Sequence, residues 1–324
     1  MSKAFIGVDL GGTNVKTAVV SREGEVMGKD SRPTNADKGL DTVLAKMTEG
    51  VDAAIQAANL QRSDVQAIGI GAPGPMNWQT GVVFSPPNLP GWKDVPLAQL
   101  MHDRLDIPVY VDNDANVACY GEFWLGVGRD VESMVLLTLG TGVGGGIVVL
   151  GQLLRGPDGT ASEIGHLCVK RDGRQCNCGA KGCLEQYASV SGMLRTAKKR
   201  INQGGCDTAL IQMCGGNLDN LTGKMISDAV EQGDTFARWV MEETGRWLGI
   251  GIGSIINLLN PEMVVLGGGM IAAGDVLFSP VRETAADQSF DVPGDRAEII
   301  PAGLGGDAGV IGAAGCALNR HETA

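Results

Sequence analysis

The stretch Ala4-Phe5-Ile6-Gly7-Val8-Asp9-Leu10-Gly11-Gly12-Thr13-Asn14 opens as a short apolar run and stops at a glycine pair. It reads as a buried strand ending in a tight turn. Residues 16–20 then look like its hairpin partner, with Ser21-Arg22-Glu23-Gly24 as the next turn. The same order returns later in the chain. Met134-Val135-Leu136-Leu137-Thr138-Leu139 is an apolar run closed by Gly140-Thr141-Gly142-Val143-Gly144-Gly145-Gly146, and residues 147–150 come back as a strand. A unit of strand, glycine turn and strand that occurs twice suggests two related α/β halves.

Outward from these runs, residues 40–60 carry Val43, Leu44, Met47, Val51 and Ile55 at helical spacing and read as an amphipathic helix. Strands are expected at 67–70 and 109–111, and helices at 115–124, 189–201 and 235–259. The last of these contains Gly245, Gly249, Gly251 and Gly253, which permit close packing. A third apolar run, Met263-Val264-Val265-Leu266, ends in Gly267-Gly268-Gly269, and an alanine-rich helix is expected over 308–318. Strands alternating with helices argue for an α/β protein whose ligands meet the glycine turns at strand ends. The expected domains are a small α/β domain of residues 1–115 plus a C-terminal helical segment, 305–324, and a large α/β domain of residues 116–304.

Composition narrows the function classes. The chain has 324 residues with 44% hydrophobic and 19% charged side chains, which is material for a core and unlike disordered or fibrous sequences. Its 49 glycines are about twice the usual share of ~7% and cluster after apolar runs. A net charge of −11 disfavours nucleic acid as a partner, which calls for a basic face. With no long apolar run, a membrane span is not expected, and the protein is expected to be cytoplasmic.

Asp9-Leu10-Gly11-Gly12-Thr13-Asn14 sets a carboxylate at a strand end before paired glycines and a hydroxyl. Backbone N–H groups in such a turn can face phosphate oxygens, with Thr13 or Asn14 adding a donor. Asp9 could hold Mg²⁺, directly or through water. The turn could equally be a plain hairpin that needs positive φ. The second loop, containing Thr141 and Gly142, strengthens the phosphate reading, because two loops of one design can grip a phosphate chain. Gly267 and Gly268 in the third turn would suit an adenine and ribose, or a simple strand-to-helix turn. Neither a P-loop pattern nor a dinucleotide GxGxxG fingerprint occurs.

Three of the eight cysteines fall between 176 and 183, which favours metal over disulfides. His166, Cys176, Cys178 and Cys183 form H-x9-C-x-C-x4-C, a closed tetrahedral set for structural Zn²⁺ with no position left for a catalytic water. Asn88, Asn113, Asp114, Glu163, His166 and Glu185 are candidates for holding a polyhydroxylated ligand, since their carboxylates, amides and imidazole can pair with adjacent hydroxyls. A zinc knot would fix His166 and Glu185. Asp114, at a strand end, fits a base that accepts the proton of an attacking hydroxyl. It could instead only cap the following helix, a role open also to Asp112 and Asn116.

These residues together resemble the ROK family (repressors, open reading frames, kinases), and within it the bacterial glucokinases. The resemblance runs from Asp9-Leu10-Gly11-Gly12-Thr13-Asn14 to Gly305-Gly306-Asp307-Ala308-Gly309. Its most specific parts are Glu163-x-Gly165-His166 and Cys176-x-Cys178-Gly179-x-x-Gly182-Cys183-x-Glu185. It implies an actin-like, hexokinase-like ATPase fold with two α/β domains flanking a cleft, and a homodimer. It implies a kinase taking ATP with Mg²⁺ and a hexose, in which Asp114 is the general base. Asn88, Asn113, Glu163, His166 and Glu185 would then hold sugar hydroxyls, Gly74 would lie in a sugar-side turn, and Asp9, Gly11, Thr13, Thr141 and Gly142 would face the phosphates. Glucose is the expected sugar, with N-acetylmannosamine, allose, fructose or mannose as alternatives, and polyphosphate is an alternative donor. The family also contains sugar-responsive repressors with an N-terminal helix-turn-helix. A first strand at Ala4 argues against that reading.

Overall fold

The computed structural model describes residues 3–86 and 88–323. Residue contacts divide the chain into two compact units, Met1–Glu132 with Gly146–Ser162 and Ala302–Ala324, and Ser133–Gly145 with Glu163–Pro301. The first unit is built on β1 (Ala4–Leu10), β2 (Asn14–Ser21), β3 (Val26–Pro33), helix α1 (Leu40–Ala57) and β4 (Val65–Ala72). Three two-residue strands, β5 (Met76–Asn77), β6 (Val82–Val83) and β7 (Val95–Pro96), make a small sheet of their own. Helix α2 (Leu97–Leu105), β8 (Val109–Asn113) and α3 (Asp114–Trp124) follow.

Next come β9 (Met134–Leu139), β10 (Val143–Val149) and β11 (Gln152–Leu153). Helices α4 (Glu185–Ala188), α5 (Val190–Asn202), α6 (Leu210–Met213), α7 (Gly223–Glu231) and α8 (Thr235–Leu259) lead to β12 (Met263–Gly267), then α9 (Asp275–Gln288), α10 (Asp291–Arg296) and β13 (Glu298–Pro301). The last helix is α11 (Ala308–Thr323).

The internal symmetry expected from the two glycine turns is present in the topology. The main sheets are ordered β3-β2-β1-β4-β8 and β11-β10-β9-β12-β13, which is the same order when each set is counted from its own first strand. In the first, β1 pairs antiparallel with β2 and parallel with β4, and β4 pairs parallel with β8. In the second, β9–β12 and β12–β13 are likewise parallel.

β1 shows why its sequence is a near-continuous apolar run. Successive side chains point to opposite faces, and both faces are covered. Ile6, Val8 and Leu10 join the cluster of Val43, Leu44, Met47 and Val51 from α1. Phe5 points the other way, into Val310, Ile311 and Ala314 of α11. Gly7 and Gly69 lie under α11 as well, and a Cβ on either would collide with the carbonyl of Val310 or Ala313. In the second unit, Gly245, Gly249 and Gly253 recur every fourth residue along α8 where α9 packs closest.

Several boundaries differ from the sequence reading for local reasons. α1 ends at Ala57 because Asn59 turns left-handed, at φ 55°. Ser189 is not helical but the N-cap of α5, its side chain accepting from Gly192 N–H. β3 was not expected at all, since Gly28, Lys29, Asp30, Ser31 and Arg32 give no apolar alternation. It is an edge strand, where charge guards against stray pairing.

Glu122 near the end of α3 is a fully buried carboxylate. It accepts from the N–H groups of Val127 (3.2 Å), Gly303 (3.1 Å) and Leu304 (2.8 Å). A Glu122→Gln side chain keeps one acceptor oxygen and turns an amide against the remaining N–H groups. Urea unfolding is expected to report a loss of about 2 kcal/mol, and an unchanged midpoint would show that this buried carboxylate has no net worth.

Candidate active site

In the first unit, β1 and β2 are joined by Gly11-Gly12-Thr13, and Asn14 is already the first residue of β2. Gly11 N–H donates to Asn14 O at 3.0 Å, while Thr34 holds the turn from outside, its hydroxyl donating to Gly11 O (2.6 Å) and its N–H to Thr13 O (2.8 Å). Neither glycine has a positive φ, so the left-handed backbone that a plain hairpin turn would demand is not what selects them. Close approach explains Gly12: a Cβ there would stand 3.0 Å from Asn88 Cβ and 3.1 Å from Asn88 O. The structure thus brings Asn88, exposed to solvent, onto the glycine turn.

Asp9 sits opposite Lys16 in the hairpin register, and its carboxylate abuts Gly309 in the first turn of α11. Burial raises its pKa above the usual carboxylate value, and the Lys16 charge only partly opposes this. A carboxylate left short of compensation in this way has capacity for a cation.

β8 delivers the next pair. Asn113 is the N-cap of α3, accepting from the N–H groups of Ala115 (2.9 Å) and Asn116 (3.3 Å), and its amide donates to Gly74 O at 3.4 Å. The capping role left open among Asp112, Asp114 and Asn116 therefore belongs to none of them. Asp114 is the first helical residue, exposed, with Oδ1 accepting from Ala115 N–H at 2.9 Å. A carboxylate in the first turn also interacts favourably with the helix dipole.

In the second unit, Gly140-Thr141-Gly142 connects β9 to β10. Glu185 opens α4 directly beneath this loop: its Oε2 accepts from Val143 N–H at 3.2 Å and fills the space a side chain on Gly142 would need. Thr141 is exposed. Gly267 ends β12, and Gly268 follows with φ 94° against the carbonyl of Leu139, the last residue of β9. The third glycine turn therefore lies beside the second. Gly165, between Glu163 and His166 in sequence, packs on the carbonyl of Val143, the same residue whose N–H Glu185 holds.

His166, Cys176, Cys178 and Cys183 offer ligand atoms that all lie within 4.8 Å of one another. Cys176 Sγ is 3.6 Å from His166 Nδ1, and Cys178 Sγ is 3.7 Å from Cys183 Sγ. A tetrahedral zinc with Zn–S about 2.3 Å and Zn–N about 2.0–2.1 Å separates its ligand atoms by about 3.5–3.8 Å, so the observed spacings fit that ion. The other imidazole nitrogen, Nε2, faces Glu163 Oε2 at 3.9 Å, wider than a direct hydrogen bond. Gln186, which the sequence reading passed over, steadies the cluster. Its amide donates to Cys176 Sγ (3.5 Å), while its Oε1 accepts from Arg195 (2.8 Å). Its place directly after Glu185 was the only available clue.

Each unit thus gathers its own share of the expected residues: Asp9, Gly11, Gly12, Thr13, Asn14, Gly74, Asn88, Asn113 and Asp114 in the first, and Thr141, Gly142, Glu163, His166, Glu185, Gly267, Gly268 and the cysteines in the second. Among the described residues, no helix is long and apolar enough to cross a membrane.

Comparison with known proteins bears on the family of the chain. The chain is 39% identical to a glucokinase of Halalkalibacterium halodurans over 95% of its own length and 93% of that protein. It is 36% identical to a glucokinase of Thermotoga maritima over 98% of both chains. Among solved structures, a ROK family glucokinase from Streptomyces griseus in complex with glucose and AMPPNP matches 98% of this chain and 99% of its own, with a TM-score of 0.81 and 34% identity. A family model for ROK proteins matches residues 5–320. The chain belongs to the ROK family and has its actin-like, hexokinase-like ATPase fold.

Proposed function

We propose that this protein is an ATP-dependent glucokinase that moves the γ-phosphoryl group of MgATP to the 6-hydroxyl of D-glucose. The observation that carries this reading is the end of β8, where Asn113 caps the helix and the next residue is an exposed carboxylate. Near-full-length similarity to glucokinases supports the substrate. In the reaction, the hydroxyl oxygen forms a bond to phosphorus as its proton passes to Asp114. The bond from the γ-phosphorus to the bridging oxygen breaks, and ADP leaves. Mg²⁺ arrives with ATP and neutralises charge on the phosphate oxygens, for which Asp9 is a partner.

Asn88, Asn113, Glu163, His166 and Glu185 are assigned to sugar hydroxyls. Gly11, Gly12, Thr13, Asn14, Thr141 and Gly142 are assigned to phosphates, and Gly267 and Gly268 to the nucleoside. The four-ligand cluster is assigned to structural Zn²⁺, because four protein donors leave no site for a reacting group.

The test is ADP release with MgATP against glucose, mannose, fructose, allose, N-acetylglucosamine and N-acetylmannosamine, with a no-sugar control. Glucose is expected to give the highest kcat/KM, by roughly tenfold or more, since a polar site rejects a misplaced hydroxyl through unpaired groups. A higher kcat/KM on another sugar would move the substrate assignment, and silence on every sugar would remove the kinase reading.

A further inference from the structure

Side chains two apart on β8 point to one face, and on this strand Tyr110 and Asp112 share a face that is clamped by two arginines from distant parts of the chain. Arg155, just after β11, donates from Nε to Asp112 Oδ2 at 2.6 Å. The Asp112 side chain is 5% exposed and that of Arg155 15%. The other carboxylate oxygen, Oδ1, accepts from the N–H of Asn113 (2.9 Å) and from the side-chain amide of Asn116 (3.0 Å). Arg155 also lies over the Trp78 ring at 4.8 Å. Arg320 of α11 lies over Trp78 as well (5.0 Å) and over Tyr110 (4.7 Å), and donates to Trp78 O at 2.8 Å. Burial works against the charge on Arg155, but Asp112, with smaller help from Cys316 and Tyr120, more than offsets it. A buried ion pair of this kind is weak evidence for stability, since well-packed apolar residues would serve as well. Its remaining distinction is where it leads. One oxygen of Asp112 is held by Arg155, and the other fixes the peptide N–H of Asn113, which precedes Asp114.

We propose that Arg155 and Asp112 are positioning residues for phosphoryl transfer, locking the end of β8 so that Asn113 and Asp114 are held at the reacting hydroxyl. The inference rests on the reading of Asp114 as the base. Without Arg155, Asp112 becomes an unpaired buried carboxylate that turns toward water and releases Asn113. Small misplacements of a reacting group cost large factors in rate.

Arg155→Met is therefore expected to lower kcat about 10- to 100-fold, with KM for ATP within about twofold of wild type, measured well below the unfolding temperature on protein verified as folded. The double variant Asp112→Asn with Arg155→Met removes the stranded charge, and its amide oxygen can still accept from Asn113. It is expected to fold even where the single variant does not, and to recover kcat to about 3- to 10-fold below wild type. A purely structural role would lower thermal stability and leave kcat of the folded enzyme unchanged. An Arg155→Met kcat within twofold of wild type, or a double variant at full wild-type kcat, would overturn the clamp. Wild type and Asp114→Asn run in parallel separate the two readings. An inactive wild type, or a fully active Asp114→Asn, counts against the base assignment beneath it. An active wild type with inactive Asp114→Asn and unaffected Arg155→Met counts against the clamp alone.

Discussion

Asp114→Asn protein is expected to fold normally and to phosphorylate glucose about 10²- to 10⁴-fold more slowly, the range a positioned general base contributes. The fold should survive because the helix cap is Asn113, not Asp114. The bond that Asp114 Oδ1 accepts from Ala115 N–H can also be made by an asparagine oxygen. What is lost is a carboxylate in the first turn of α3, worth about 0.3–1 kcal/mol to the helix. The loss should fall on kcat, with KM for ATP little changed, because the change removes an interaction made as the proton moves. Steady-state kinetics with a thermal melt of the same sample checks both halves. Turnover near that of wild type would transfer the base role to another group.

Cys183→Ser has the second large expected effect, and it falls on stability as much as on activity. Cys183 is fully buried, and its backbone forms a bridge with Cys168, so it ties two parts of the 166–187 segment together. Structural zinc sites contribute apparent binding energies of about 10–16 kcal/mol in small peptides, comparable with the ~5–15 kcal/mol that holds a whole domain. Three remaining ligands should retain metal poorly. Zinc is expected to fall from about one ion per chain to below about 0.1. If about 4 kcal/mol of that linkage is lost, melting should drop by roughly 8–16 °C for a unit of this size. KM for glucose should rise with it, since His166 belongs to the cluster and Glu185 follows it by two residues. Elemental analysis beside calorimetry decides the matter: a zinc-free variant with wild-type melting and wild-type KM would leave the metal without a structural role.

The parts of this molecule that were legible in the sequence share a physical property, which is that their chemistry is local. β1 reads as a strand because both of its faces are buried, and α8 is found over the expected residues because its periodicity is long and strong. The proposed metal site draws three of its four candidate donors from one short segment. The reason for Gly12 was not legible, because the sequence offers positive φ as its explanation and the actual cause is Asn88, far along the chain. The same holds for Gly142, which makes room for Glu185. β3 was missed because an edge strand need not alternate. Arg155 carries no local mark at all; its significance comes from Asp112, which no spacing rule connects to it.

The helix that covers β1 has a consequence for how this protein is made. α11 begins at Ala308 and β1 at Ala4, so roughly three hundred residues separate the strand from the surface that shields Phe5, Ala18, Val20 and Ala67. At about 5–20 residues per second, translation takes about 15–60 s to bring that surface out of the ribosome. The segment Glu163–Pro301 is already complete by then, while the first-made sheet waits with one apolar face uncovered. The nascent chain thus finishes its first unit last, and Phe5, Ala18, Val20 and Ala67 lack their cover until α11 has been made.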